Sequence, residues 1–183
     1  MALEHLGIAY TYVEVDPYAK PAELLAVSPR GLVPALRLTG SLSPLANGKA
    51  VGLSESTVIL AFLEDLQSLR GAGAKRESSL LGSVTETYTR AQARALGEQF
   101  NKECVPRFYA YLQAQEADQQ VAKGKEFKDA LGQFTQRLGS VPGASQEDTW
   151  ATGGDFGWVE CIAAPCTRAT DLRHPHTRHA HTS

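Results

Sequence analysis

The strand-like segments of this 183-residue chain all lie in its first third, and that placement limits the folds open to it. Three short runs of β-branched, aliphatic and aromatic side chains are predicted to be strands: residues 8–15, 34–38 and 50–53. The small and polar stretch at residues 70–75 marks a domain boundary, and no strand-like alternation follows it. We therefore predict an α/β domain at residues 1–70 and an all-helical domain at residues 79–170.

Apolar residues at spacings of three and four predict the helices. In the first domain, a short helix is predicted from Lys20 through Leu25, and a longer one follows Ser54, its predicted N-cap, as far as Leu69. The helical domain is predicted to hold two long helices packed as a hairpin, at residues 80–114 and 121–138, and a last helix at 156–170 that Pro165 interrupts.

Composition excludes several classes of function. The formal net charge is −2 and Lys and Arg are scattered, so there is no basic stripe for a nucleic acid. No apolar run approaches the ~20 residues that span a bilayer, and the first five residues do not begin a signal peptide. We expect a cytoplasmic protein that binds neither nucleic acid nor membrane.

Neither the cysteines nor the histidines predict a metal or disulfide framework. Cys104, Cys161 and Cys166 are too few for a disulfide scaffold, and their spacing fits no zinc motif or C-x-x-C pair, so we interpret them as reduced, structural thiols. Residues 171–183 lack apolar periodicity and are expected to form a disordered tail. The four histidines in that tail lack a fixed geometry, so no metal site is expected.

Two segments have the chemistry to bind an extended ligand. Pro34, between a loop and an apolar strand, is a natural site for a cis peptide bond that leaves the preceding backbone free to pair; alternatively it is only an edge-strand residue. Glu55 and Ser56 stand at a helix start, where backbone N–H groups and the helix dipole attract a carboxylate. Glu55 can accept from an amino group, although plain N-capping by Ser54 explains the same residues.

Lys20 is the third candidate. Its flexible ammonium can meet a second carboxylate of the same ligand, although taken alone it is an ordinary solvated lysine.

These motifs together resemble the glutathione transferase superfamily, nearest its omega-like branch. The resemblance is strongest over residues 3–66 and continues more weakly to about residue 170. It is carried by four pieces in the family's order and spacing: LEHLGI at 3–8, YVEV at 12–15, SPRGLVPAL at 28–36 and LSES at 53–56.

The resemblance implies a thioredoxin-like N-terminal domain, here without its first strand, joined to an all-helical domain. Glutathione would bind in the cleft between them, and the protein would be a homodimer. Val33, ahead of a cis Pro34, would pair its backbone with the cysteinyl unit. Glu55 and Ser56 would hold the γ-glutamyl amino and carboxylate groups, and Lys20 would meet the glycyl carboxylate. Glutathione is thus the expected substrate, with no metal cofactor.

The activity implied is transfer or removal of glutathione, acting on mixed disulfides or on small electrophiles, as in detoxification. The family's catalytic Cys, Ser or Tyr stands at the end of the first strand or the start of the first helix, so we expect it upstream of Met1. None of the three cysteines matches that position. A non-catalytic glutathione-binding or protein-interaction module, or an inactive fragment, is the alternative.

The resemblance also extends to the start of the last helix. Gly157 stands where the family has a capping Ser or Thr, and Glu160 stands where it has an Asp.

Overall fold

The computed structural model describes residues 1–16, 18–42, 49–69, 79–83, 85–138, 151 and 156–171, with side chains given as far as Thr167. The chain divides into two compact units, Met1–Leu80 and Leu81–Ser183. The first unit holds the sheet, and the described part of the second is helical. The predicted fold class, an α/β part followed by an all-α part, is confirmed. The expected tail lies outside the described residues except for Asp171.

The first unit is built on a two-stranded antiparallel sheet. Strands β1 (Ala35–Leu38) and β2 (Val51–Ser54) pair with Ala35 opposite Ser54 and Leu38 opposite Val51. This confirms the second and third predicted strands; most of the loop between them, residues 43–48, lies outside the described part of the chain. The elements in chain order are α1 (Ala2–His5), α2 (Ala22–Val27), β1 (Ala35–Leu38), a 3-10 turn (Gly40–Leu42), β2 (Val51–Ser54) and α3 (Ser56–Leu69).

The first predicted strand, residues 8–15, is wrong. These residues form no strand, although their composition favours one. A strand exists only where a neighbouring strand pairs with its backbone, and the described sheet consists of β1 and β2 alone. Ile8 is buried, but Tyr12 and Val13 are 75% and 63% exposed, so most of the segment is not packed against the core.

Close approach of backbones holds α2 against the sheet. A Cβ atom added at Gly52 of β2 would lie 2.4 Å from the Cα and the carbonyl oxygen of Val27, the last residue of α2. Only glycine permits this contact. Leu24 of α2 is buried, as are Ile59, Leu60 and Leu63 on one face of α3. The packing fixes where the chain emerges from α2 towards β1.

The second unit contains four described helices: α4 (Thr87–Glu103), α5 (Val105–Gln113), α6 (Ala117–Leu138) and α7 (Trp158–Asp171). The prediction of one long helix over residues 80–114 is wrong, because the helix is divided at Cys104. Pro106 has no N–H to donate to the carbonyl of Lys102, and its ring crowds that turn. The buried rings of Phe100 and Phe134 lie 5.1 Å apart and join α4 to α6.

The last helix begins with a side-chain cap and continues through its proline. The Glu160 carboxylate accepts hydrogen bonds from the backbone N–H groups of Gly157, at 3.0 Å, and Ala151, at 2.6 Å. This is the acidic half of a capping box. Pro165 lies inside α7, which continues to Asp171, so the predicted interruption of the helix is wrong. The Thr167 hydroxyl bonds the carbonyls of Ala163 and Ala164 in this turn.

None of the described helices is long and apolar enough to cross a membrane.

Candidate functional site

The pairing of β1 with β2 brings two of the sequence motifs together. Ala35 lies opposite Ser54 at one end of the sheet. Val33 and Pro34 precede Ala35, and Glu55 and Ser56 follow Ser54, so all four lie at that same end. Four of the five predicted site residues are therefore neighbours in the first unit.

The peptide bond between Val33 and Pro34 is cis, as predicted. Val33 is 51% exposed. Within the described part of the chain, its backbone N–H and carbonyl have no hydrogen-bond partner. Exposed, unpaired backbone groups beside a strand are what an extended peptide pairs with.

The loop before Val33 is held by Ser28, which the sequence analysis did not single out. Ser28 is buried, and its hydroxyl oxygen accepts a hydrogen bond from the N–H of Leu32 at 3.0 Å. Its carbonyl accepts from the N–H of Gly31 at 2.7 Å. The signal that points to it is the S-P-x-G order at residues 28–31, which is typical of a turn closed by a serine side chain.

Glu55 occupies the junction between strand and helix. Our prediction of Ser54 as N-cap is wrong, because Ser54 is the last residue of β2 and Glu55 stands before α3. The carbonyl of Glu55 accepts the first helical hydrogen bond, from Ile59 at 2.9 Å. Glu55 has a φ of 73°, a left-handed conformation that costs a non-glycine residue free energy. Such strain concentrates at functional sites.

Ser56 is the first residue of α3 and is exposed. The helix has 14 residues, so its first turn presents unpaired N–H groups and the positive end of a full helix dipole. The Ser56 hydroxyl has no partner among the described residues. Hydrogen-bond donors and the positive end of a helix dipole therefore lie next to the Glu55 carboxylate.

Lys20 is positioned beside this site by Gly31. Its Nζ donates a hydrogen bond to the carbonyl oxygen of Arg30 at 3.4 Å. Its aliphatic stem covers Gly31, where an added Cβ would lie 2.9 Å from Lys20 Cδ. Gly31 has a φ of 65°, and Lys20 itself has a φ of 45°. Lys20 and Glu55 are therefore the two described non-glycine residues with positive φ.

Arg30 links Lys20 to Glu55. Its Nη1 lies 3.1 Å from Glu55 Oε1, while its backbone oxygen accepts from Lys20. Sequence reasoning missed this residue, because Arg30 and Glu55 are 25 positions apart and only the pairing of the strands brings them together. The arrangement at this end of the sheet contains two cations and one carboxylate.

The three cysteines are poor nucleophiles. Burial raises the pKa of the Cys104 and Cys166 thiols, and it raises the pKa of Cys161 to about 12. A thiol acts as a nucleophile as the thiolate, so burial disfavours the reactive form of all three side chains. In the described ranges, no group of three His, Cys, Asp or Glu residues is placed to hold a metal ion.

Residues 1–66 match the family of the glutathione S-transferase N-terminal domain. Among solved structures, the glutathione transferase Omega 3C of Trametes versicolor is 28% identical to this chain, with a TM-score of 0.67 over 97% of it. A family member from Pseudomonas fluorescens, solved with two glutathione bound, is 20% identical over 91% of the chain with a TM-score of 0.65. One from Pseudomonas putida, with one glutathione disulfide per subunit, is 20% identical over 93% with a TM-score of 0.58.

This chain is shorter than those proteins. It spans 66% of the Trametes protein, 68% of the Pseudomonas fluorescens protein and 72% of the Pseudomonas putida protein. No curated protein matches the sequence. The similarities confirm the expected fold, a thioredoxin-like N-terminal domain with a small sheet followed by a helical region.

Proposed function

Because the chain belongs to the glutathione transferase superfamily, we propose that it binds glutathione at the end of the sheet where Pro34 and Glu55 lie. The observation that carries the proposal is the register of Ala35 opposite Ser54, which places an unpaired backbone segment beside a carboxylate and a helix start. A zwitterionic peptide requires these three features together. Solved relatives from two Pseudomonas species contain glutathione or its disulfide, which supports the same ligand here.

The γ-glutamyl unit is assigned to Glu55 and Ser56. Glu55 accepts a hydrogen bond from the α-ammonium group, and a bond between two charged groups is about twice as strong as a neutral one. Ser56 offers its hydroxyl, together with the N–H groups of the first turn of α3, to the α-carboxylate. The helix dipole adds to this attraction because α3 is long enough to have one.

The rest of the tripeptide extends towards Lys20. The cysteinyl unit pairs with the backbone of Val33, in the manner of a short added strand ahead of Pro34. The glycyl carboxylate meets the ammonium of Lys20, whose stem is held on Gly31. The assignment uses all five predicted site residues.

The reaction proposed is glutathione transfer. The thiolate sulfur of glutathione forms a bond either to a carbon of a small electrophile, whose leaving group departs with the electron pair, or to a sulfur of a mixed disulfide, from which a thiolate leaves. The similarity to the fungal omega enzyme favours the second type and an omega-like affiliation. We further propose that the protein is cytoplasmic and dimeric and that it acts in detoxification.

A second candidate is a glutathione-binding module without catalysis. It is favoured by the raised pKa values of all three cysteines, which leave this chain without an activated thiol. Measuring both binding and turnover separates the two candidates. Binding without transfer to a model electrophile or a glutathione mixed disulfide indicates the module, and transfer indicates the enzyme.

The test is isothermal titration of reduced glutathione into the chain and into the Glu55→Ala/Ser56→Ala variant. Each lost bond to a charged group weakens binding by roughly tenfold or more, so we expect a loss on the order of 100-fold. Both side chains are exposed, so the thermal midpoint stays nearly constant. Asp65→Ala is the matched control, since it removes an exposed carboxylate about 15 Å further along α3. Unchanged affinity in the double variant would contradict the assignment.

A further inference from the structure

The ion pair between Arg30 and Glu55 has little to do with stability. Its side chains are 73% and 53% exposed, and ion pairs this exposed contribute little to stability because water screens them. Only one contact joins them, Nη1 to Oε1 at 3.1 Å. In the described part of the chain, neither side chain has another hydrogen-bond partner. Both groups therefore have unused bonding capacity that faces solvent.

That capacity is considerable on both sides. A guanidinium has five N–H donors, and the bond to Glu55 uses one of them. A carboxylate has two oxygens, and Oε2 of Glu55 accepts no bond from a described residue. A carboxylate and a guanidinium thus lie side by side, each with hydrogen-bonding capacity left. They are complementary to an α-amino acid group, in which an ammonium and a carboxylate are attached to one carbon.

The charges of the whole site point the same way. Lys20, Arg30 and Glu55 give two cations and one anion, connected through the side chain and the carbonyl of Arg30. Glutathione has two carboxylates and one ammonium at neutral pH. With Lys20 assigned to the glycyl carboxylate and Glu55 to the ammonium, one full positive charge and one full negative charge are left over.

We propose that Arg30 binds the α-carboxylate of the γ-glutamyl unit and thereby selects ligands with an intact α-amino acid head. The inference rests on the proposed function of the site. Arg30 and the start of α3 hold the same carboxylate, Arg30 with a full charge and Ser56 with a hydroxyl and the dipole. Glu55 turns its free oxygen to the ammonium while Arg30 stays beside it.

A competing arrangement makes the opposite prediction. If Arg30 only occupies Glu55, the ligand must displace it, and removing the guanidinium tightens binding. The sign of the change in affinity therefore separates recognition from obstruction.

The experiment compares two tripeptides by isothermal titration. One is glutathione, and the other is 4-aminobutyryl-cysteinyl-glycine, which has the same ammonium and glycyl carboxylate but no α-carboxylate. Arg30→Met should weaken glutathione binding roughly tenfold, the effect of one bond to a charged group, and change the binding of the second peptide less than about twofold. Arg30→Lys should recover part of the glutathione affinity, because it restores the charge without the planar fork.

Arg37→Met is the matched control. Arg37 is an exposed arginine of β1 in the same unit, and we expect its loss to leave the affinity for both peptides unchanged. Three results for Arg30→Met would overturn the inference and leave the proposed function standing. The affinity for glutathione could stay unchanged, it could rise, or the affinities for both peptides could fall equally. Failure of the unsubstituted chain to bind either peptide would overturn both.

Discussion

The buried hydroxyl of Ser28 accepts a hydrogen bond from the backbone N–H of Leu32 at 3.0 Å. One short side chain thus ties the end of α2 to the loop that leads into Pro34. The loop is held a second time by the bond from Gly31 to the Ser28 carbonyl. Val33 therefore follows a fixed loop, and under the proposed function this support lowers the entropy lost when glutathione binds.

Replacing Ser28 tests this support. Ser28→Ala leaves the partly buried N–H of Leu32 without its acceptor, so we expect the free energy of unfolding to fall by about 1–3 kcal/mol. Glutathione affinity should fall as well, because Val33 is no longer held. Urea denaturation and titration measure the two effects. Ser41→Ala, at an exposed serine of the same unit, should change neither; equal results for both variants would contradict the support role.

Glu64 is a buried carboxylate that anchors the segment after α3. It accepts hydrogen bonds from the Ser79 hydroxyl at 2.6 Å and the Leu80 N–H at 2.9 Å. Glu64→Gln keeps the size but leaves one oxygen acceptor, so the hydrogen bond with the Ser79 hydroxyl must reverse its direction and both bonds lose the charged acceptor. We expect the free energy of unfolding to fall by about 2–3 kcal/mol, since bonds to a charged group are lost. Asp65→Asn, the exposed neighbour, should stay within about 0.5 kcal/mol of the original protein.

Gly97 permits the close packing of α4 on α7. A Cβ there would lie 2.5 Å from Ile162 Cδ1 and 2.8 Å from Nε1 of the buried Trp158. We expect Gly97→Ala to lower the free energy of unfolding by about 1–3 kcal/mol through overpacking. Gly132→Ala, in α6 with open space around it, should raise it by about 0.5–1 kcal/mol through helix propensity. Shifts of the same sign in the two variants would refute the packing argument.

The raised pKa of Cys161 makes stability depend on pH in the alkaline range. Burial raises that pKa from 9.0 to about 12, so the folded thiol keeps a proton that the unfolded chain loses between those values. The free energy of unfolding should therefore fall from pH 9 upwards. The fall should be shallower in Cys161→Ser, which does not titrate there. Cys161 of the folded chain should also resist iodoacetamide at pH 8; rapid alkylation of the native protein would contradict the raised pKa.

Local sequence patterns predicted the elements whose partners are also local. The runs at 34–38 and 50–53 pair with each other and form the sheet, and the apolar face of Ile59 and Leu63 forms α3. Residues 8–15 have the composition of a strand. A strand forms only if a neighbouring strand pairs with its backbone, and composition does not show whether such a neighbour exists. The break at Cys104 follows from Pro106, which removes a helical hydrogen bond while the apolar spacing continues across it.

The sequence indicated some of the residues that meet at the end of the sheet, for the same reason. Two sequence motifs, each recognisable by itself, contain Val33 with Pro34 and Glu55 with Ser56. The two motifs lie close together because of the register in which β1 pairs with β2. Arg30 could not be found in this way, because its partner Glu55 is 25 residues away and an exposed arginine has no pattern of its own. The S-P-x-G order at residues 28–31 indicates a turn at Ser28, but the sequence does not show that the Ser28 side chain is buried and holds the loop.

Binding of glutathione at the end of the sheet is most directly tested by titrating the ¹⁵N-labelled chain with reduced glutathione and following its amide resonances. The account predicts that the amide resonances of Lys20, Val33 and Ser56 shift together and saturate at the same glutathione concentration. The amide resonances of Gly97 and Gly132, in the second unit, should not shift. Saturation without movement of Val33 and Ser56, or shifts confined to the second unit, would contradict the proposed site.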